Sequence, residues 1–146
     1  MNWQTGEITW IENFKTKEPI ISAVLKLYCY QEKKSHMALV HTDPKEFKIT
    51  LEIVPPAGHD ISTLMSKINP IAKLGFDGFS VASNPVANPR MSAMVFSHLL
   101  QQETSKPAIL HFTVRDHNRL GLQAELWGAR AMGIDTIIAV TGDPSA

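Results

Sequence analysis

The chain has 146 residues, 44% of them hydrophobic, which is enough for one domain with a real core. Its 14 basic and 14 acidic side chains cancel, so nothing draws the protein as a whole toward nucleic acid or an anionic membrane surface, and neither is expected as a partner. A single cysteine, Cys29, excludes an intrachain disulfide framework and favours a reducing compartment, so a cytoplasmic location is expected.

Residues 1–46 carry weak patterning and no assignable role. Ile20 to Tyr30 reads as a short helix or a strand, and QEKKSH after it as a solvated charged turn. The apolar stretch PIISAVLKLYCY, residues 19–30, is too short to span a bilayer, and Lys26 interrupts it. Glu7, Glu12 and Glu18 precede it, unlike the basic start of a secretion signal.

From residue 47 the chain gains a rhythm. FKITLEIV (47–54) is β-branched and apolar and stops at Pro55-Pro56. DGFSVAS (77–83), PAILHFTV (107–114) and DTIIAV (135–140) read as three more strands. Their starts lie about 30 residues apart, the length of a βαβ unit. The gaps read as helices. Asp60 or Ser62 caps the first, which carries Leu64, Ile68 and Ile71, with Pro70 disturbing its second half and Gly75 closing it. Asn88-Pro89 reads as the cap of the second, with Met91, Val95 and Leu99 as its apolar stripe and Met94 beside them. The third runs from about Asn118 to Met132, with Gly133 as its stop.

Strand and helix in alternation imply parallel strands joined by right-handed crossovers. A doubly wound sheet and a (β/α)8 barrel both satisfy that pattern. Eight units need about 240 residues. The sequence ends at Asp143-Pro144-Ser145-Ala146, just after the fourth strand, so the expected object is a partial TIM-type barrel of about four strands and three helices.

Alternation then assigns faces. Ile49, Leu51 and Ile53 pack toward helices, which turns Glu52 into the lumen near the C-terminal rim. On the third strand Leu110, Phe112 and Val114 face the helices, and Ile109, His111 and Thr113 face the lumen. Polar groups therefore gather where α/β active sites are built, and Thr141 and Asp143 join them after the fourth strand. A carboxyl group confined in such a lumen has its pKa raised and suits a general acid; a structural ion pair of Glu52 with Arg115 or a lysine is the competing reading. His111 is equally readable as a hydrogen-bonded core histidine, and Asp143 as a turn residue. RDHNR (115–119) reads as a helix start, and no spacing suits a metal.

Together these segments resemble the methylenetetrahydrofolate reductase family. Glu52 in LEIVPP resembles the family's strand-one glutamate, which also precedes two prolines. SVASNP (80–85) falls at its second strand, HFT (111–113) resembles its His-x-Thr strand, and AVTGDP (139–144) the Gly-Asp closing its fourth. NPVANPRMS (84–92) and RDHNRLGLQAELWGARAMGI (115–134) look closest to the branch fused to a homocysteine S-methyltransferase module. The resemblance implies a barrel holding FAD, which takes hydride from NAD(P)H and passes it to 5,10-methylenetetrahydrofolate, giving 5-methyltetrahydrofolate. It implies Glu52 as general acid and Asp143 as a carboxylate between flavin and folate. It implies Ser83, His111, Thr141, Gly142 and Asp143 as cofactor contacts. Ala82 stands where some members carry threonine; Thr141 stands where some carry arginine and the fused branch threonine. On this resemblance residues 1–46 form an extension and residues 47–146 the N-terminal half of the barrel. A non-catalytic half barrel, pairing with itself or with a partner that supplies the other half, is the alternative expectation.

Overall fold

The computed structural model of the protein describes residues 47–144, so the readings of Ile20–Tyr30, QEKKSH and Cys29 lie outside the described residues. Its elements are β1 (Thr50–Ile53), α1 (Ser62–Ala72), β2 (Gly78–Val81), a 3-10 turn (Pro85–Ala87), α2 (Ala93–Thr104), β3 (Ala108–Thr113), α3 (Arg119–Ala131) and β4 (Thr136–Val140). Among the described residues no helix is long and apolar enough to cross a membrane.

The four strands are all parallel and lie in the order β1-β2-β3-β4. This order decides between the two architectures. A doubly wound sheet needs a point where the strand order reverses. Here the order never reverses, so right-handed crossovers set every helix on one face. The fold is a singly wound segment of a TIM-type (β/α)8 barrel.

The register shows which residues meet the helices. Ile53, Val81, Leu110 and Ile137 form one cross-strand row, and Leu51, Phe79 and Ala108 another. Val81, Leu110 and Phe79 pack with Ile68 of α1, Phe96 of α2 and Leu126 of α3 in one apolar cluster. The opposite face carries the row Glu52, Ser80, Ile109, Thr136 and, one step nearer the rim, His111 beside Ile138. Among the described residues no element covers that face.

Local signals explain most boundaries. Asp60 accepts a hydrogen bond from the Ser62 N–H at 2.8 Å, satisfying a free donor at the start of α1. That bond, made with the Ser62 side chain as well, holds the Asp60 carboxyl below its usual pKa. Pro70 falls in the last turn of α1 and the helix continues through it to Ala72, so Pro70 does not break its second half. Lys73 caps α1 in a right-handed conformation, and Gly75 is not its stop. Asn118 accepts from the Gly121 N–H at 2.9 Å and caps α3, and Gly133 leaves α3 at φ +75°.

The second helix corrects the sequence reading. Asn88-Pro89 does not start it; Ser92 is the cap. Pro89 requires an extended residue before it, and Asn88 is extended. The backbone N–H groups that follow are drawn elsewhere, Arg90 to the Asn84 side chain and Met91 to the Pro56 carbonyl. The buried stripe is accordingly Ala93, Phe96, Ser97 and Leu100, while Val95 is exposed and Leu99 half-buried.

Candidate functional site

The C-terminal ends of the four strands form one rim, and every residue singled out from the sequence lies at or near it. Glu52 and His111 stand on the uncovered face, on β1 and β3. Ser83 follows β2, and Thr141, Gly142 and Asp143 follow β4. Two separate groupings result.

The first is on the uncovered face. Ser80 Oγ lies 2.7 Å from Nε2 of His111, across the β2–β3 pairing. Ser80 is 8% exposed. It is also the register partner of Glu52, so the three side chains run diagonally over three strands. Burial lowers the His111 pKa below its ordinary 6.5, and the Glu52 carboxylate opposes that shift. Burial thus favours the neutral imidazole. Ile109, Ile138 and Val140 lie half-buried around it and give the face an apolar floor.

Glu52 itself requires a correction. It is exposed, not enclosed in a poorly solvated lumen. The physical reason is its strand: β1 is an edge with one neighbour, and no second layer lies over its uncovered face among the described residues. The ion pair with Arg115 does not form either, because Arg115 is engaged at the rim.

The second grouping ties three loops together. Arg115 donates through Nε and Nη2 to both Asp116 carboxylate oxygens, at 2.9 and 2.7 Å, and through Nη1 to the Asp143 carbonyl at 2.6 Å. The paired hydrogen bonds raise the Arg115 pKa and lower that of Asp116. The Asp143 carboxylate accepts from the Val86 N–H at 2.6 Å, linking the end of β4 to the loop after β2. That loop is strained: Asn84, Val86 and Ala87 have φ of 43°, 54° and 54°. A β-branched residue at positive φ is costly, on the order of 1–3 kcal/mol, and persists only where its surroundings over-determine it. Gly142, at φ +86°, is required for the same reason of space. A Cβ there would meet Thr113 Cγ2 at 2.6 Å and Arg115 Cβ at 3.2 Å. Asp143 is thus more than a turn residue: its carboxylate holds a loop of another strand.

Two of these participants escaped the sequence reading. Ser80 was legible in principle, since GFSVAS alternates and sets Phe79 and Val81 in the core with Ser80 opposite. The bond from Asp143 to Val86 spans 57 residues and has no local signal.

Ile109 and Ile138 beside the His111 imidazole give the uncovered face an apolar surface with a hydrogen-bonding group, which could carry a flat aromatic group. No curated protein and no solved structure matches the chain. The family model described as methylenetetrahydrofolate reductase matches residues 36–146, which is most of the chain. A singly wound parallel sheet with a carboxylate, a neutral imidazole and a Gly-Asp turn at one rim agrees with that match, and the chain belongs to the methylenetetrahydrofolate reductase family.

Proposed function

We propose that this chain contributes the folate-reducing face of a flavin-dependent methylenetetrahydrofolate reductase. The observation that carries the reading is the convergence of Glu52, His111 and Asp143 on the C-terminal rim of strands wound in sequential order. FAD, when bound, would supply the hydride chemistry, taking hydride from NAD(P)H and delivering it to 5,10-methylenetetrahydrofolate. The chain's own residues have narrower tasks. His111 and Thr141 offer hydrogen bonds to the ring edge, Ser83 past the end of β2 offers another, and Gly142 lets the backbone approach closely. Glu52 donates a proton to a nitrogen of the folate as its five-membered ring opens. Asp143 stabilises positive charge on the folate, trading its bond to the Val86 N–H for that contact.

Glu52 is exposed on the open face, and a general acid works best in a site closed to bulk water. We therefore infer that the working site forms when further βα units cover this face and both sheet edges.

The test is a pair of half-reactions on the assembled protein. Glu52→Gln is expected to leave flavin reduction by NAD(P)H within about twofold of wild type. Reduction of methylene-folate should fall roughly 10²–10⁴-fold, the range for loss of a general acid. Unchanged folate turnover would sink the assignment. A second reading, an association subunit without catalysis, is favoured by the exposure of Glu52; a colourless folded oligomer that takes up no FAD is its expected result.

A further inference from the structure

We propose that Ser80 is a positioning residue: its hydroxyl donates to Nε2 of His111, fixes the imidazole as the Nδ1–H tautomer, and leaves Nδ1–H as a preset donor for an acceptor atom of the ligand. The inference rests on reading this face as a ligand site, and adds to it a residue and a direction of hydrogen bonding.

The geometry leaves one consistent arrangement. The contact is 2.7 Å, short enough for a full hydrogen bond, and one partner must donate. Burial favours the neutral imidazole, in which one ring nitrogen carries a proton and the other is an acceptor. If Nε2–H donated to Ser80, the hydroxyl proton would need an acceptor of its own. Among the described residues Ser80 Oγ has His111 as its hydrogen-bond partner and no other. With Ser80 8% exposed, that alternative would leave a hydroxyl proton on a buried side chain without a protein acceptor among the described residues. Donation from Ser80 to Nε2 satisfies both groups at once.

The charged surroundings agree. Glu52 on β1 is the charge that acts on His111, and Ser80 on β2 is its neutral contact. On β4 the neighbour of His111 is Ile138, and the helices lie across the sheet. Arg115 at the rim is held by Asp116 and Asp143. Nδ1 has no protein partner among the described residues, so its proton is available to a carbonyl or ring-nitrogen acceptor of the kind a flavin edge presents.

The experiment needs no bound ligand. Imidazole nitrogen-15 shifts of the full chain distinguish the tautomers, with His111 identified by the signals lost in His111→Gln. The expected result is an Nδ1–H imidazole in the wild type. Ser80→Ala should shift it toward Nε2–H and raise its titration midpoint by roughly 0.4–1 unit, the loss of one hydrogen bond to the neutral form. Ser80→Thr should restore both. A wild-type Nε2–H tautomer overturns the proposal, and that measurement decides it even if Ser80→Ala does not fold. An unmoved tautomer and midpoint in a folded Ser80→Ala overturn it as well. Flavin titration is read separately: roughly five- to tenfold weaker FAD binding by Ser80→Ala is expected. A wild-type protein that shows the Nδ1–H tautomer and binds no FAD defeats the functional reading and leaves the hydrogen bond standing.

Discussion

The two faces of the sheet are built from alternate residues of the same strands, yet they serve opposite ends. The helix-covered face presents Phe79, Val81 and Leu110, each almost wholly buried in one apolar cluster. The uncovered face presents Glu52, Ser80 and His111, with its apolar residues half-buried. A one-residue step along a strand therefore moves from stability to chemistry. Covered positions should fail by unfolding and uncovered ones by losing binding or turnover.

The sharpest way to break that contrast is on the covered side. Phe96→Ala, deleting a ring with no exposure in the first turn of α2, should cost about 3–5 kcal/mol in denaturant unfolding. Glu52→Gln on the open face should stay within about 0.5 kcal/mol of wild type in the same measurement. Comparable losses for the two would show that the open face is also structural.

The rim tests where the two behaviours meet. Gly142→Ala combines φ +86° with a Cβ set 2.6 Å from Thr113 Cγ2. It should cost about 2–3 kcal/mol, less than the core truncation because the loop after β4 can shift. A neutral outcome in thermal or denaturant unfolding would mean that the Thr-Gly-Asp turn is not held as described.

The smallest effect belongs to pH. His111 has a folded-state pKa lowered by burial, so the unfolded chain takes up its proton first as the pH falls. The His111 contribution is fully present above about pH 6.5 and is lost as pH falls from there toward the folded-state value. The loss is under about 1 kcal/mol once solvent screening of a half-exposed ring is allowed for. Unfolding midpoints from pH 8 to 5 should decline less in His111→Gln than in wild type. Equal declines would place the ring in ordinary water.

Legibility from sequence followed the range of the forces involved. The four strands, the faces of the first and third, the cap at Asn118 and the stop at Gly133 were readable because alternation, capping and positive φ act within a few residues. Strand ends were read too long. Phe47 to Ile49 falls outside β1, where Ile49 is held instead by Asp77 through a 2.8 Å backbone bond and a 2.7 Å side-chain bond. The latter also lowers the Asp77 pKa. The start of α2 was misplaced because its competing bonds come from Asn84 and Pro56, outside any helical window.

By itself, then, the sequence determined the βα periodicity, the side of the strand on which Glu52 and His111 stand, and the family signature spread over four strand ends. Tertiary structure decided the rest: sequential strand order that makes a barrel segment, the bond from Ser80 to His111, the grip of Asp143 on the Val86 loop, and the exposure of Glu52. Period and propensity are properties of neighbours in the chain. Strand order, burial and long-range hydrogen bonds depend on which distant segments come together, and an edge strand with one neighbour cannot enclose the carboxylate that alternation directs inward.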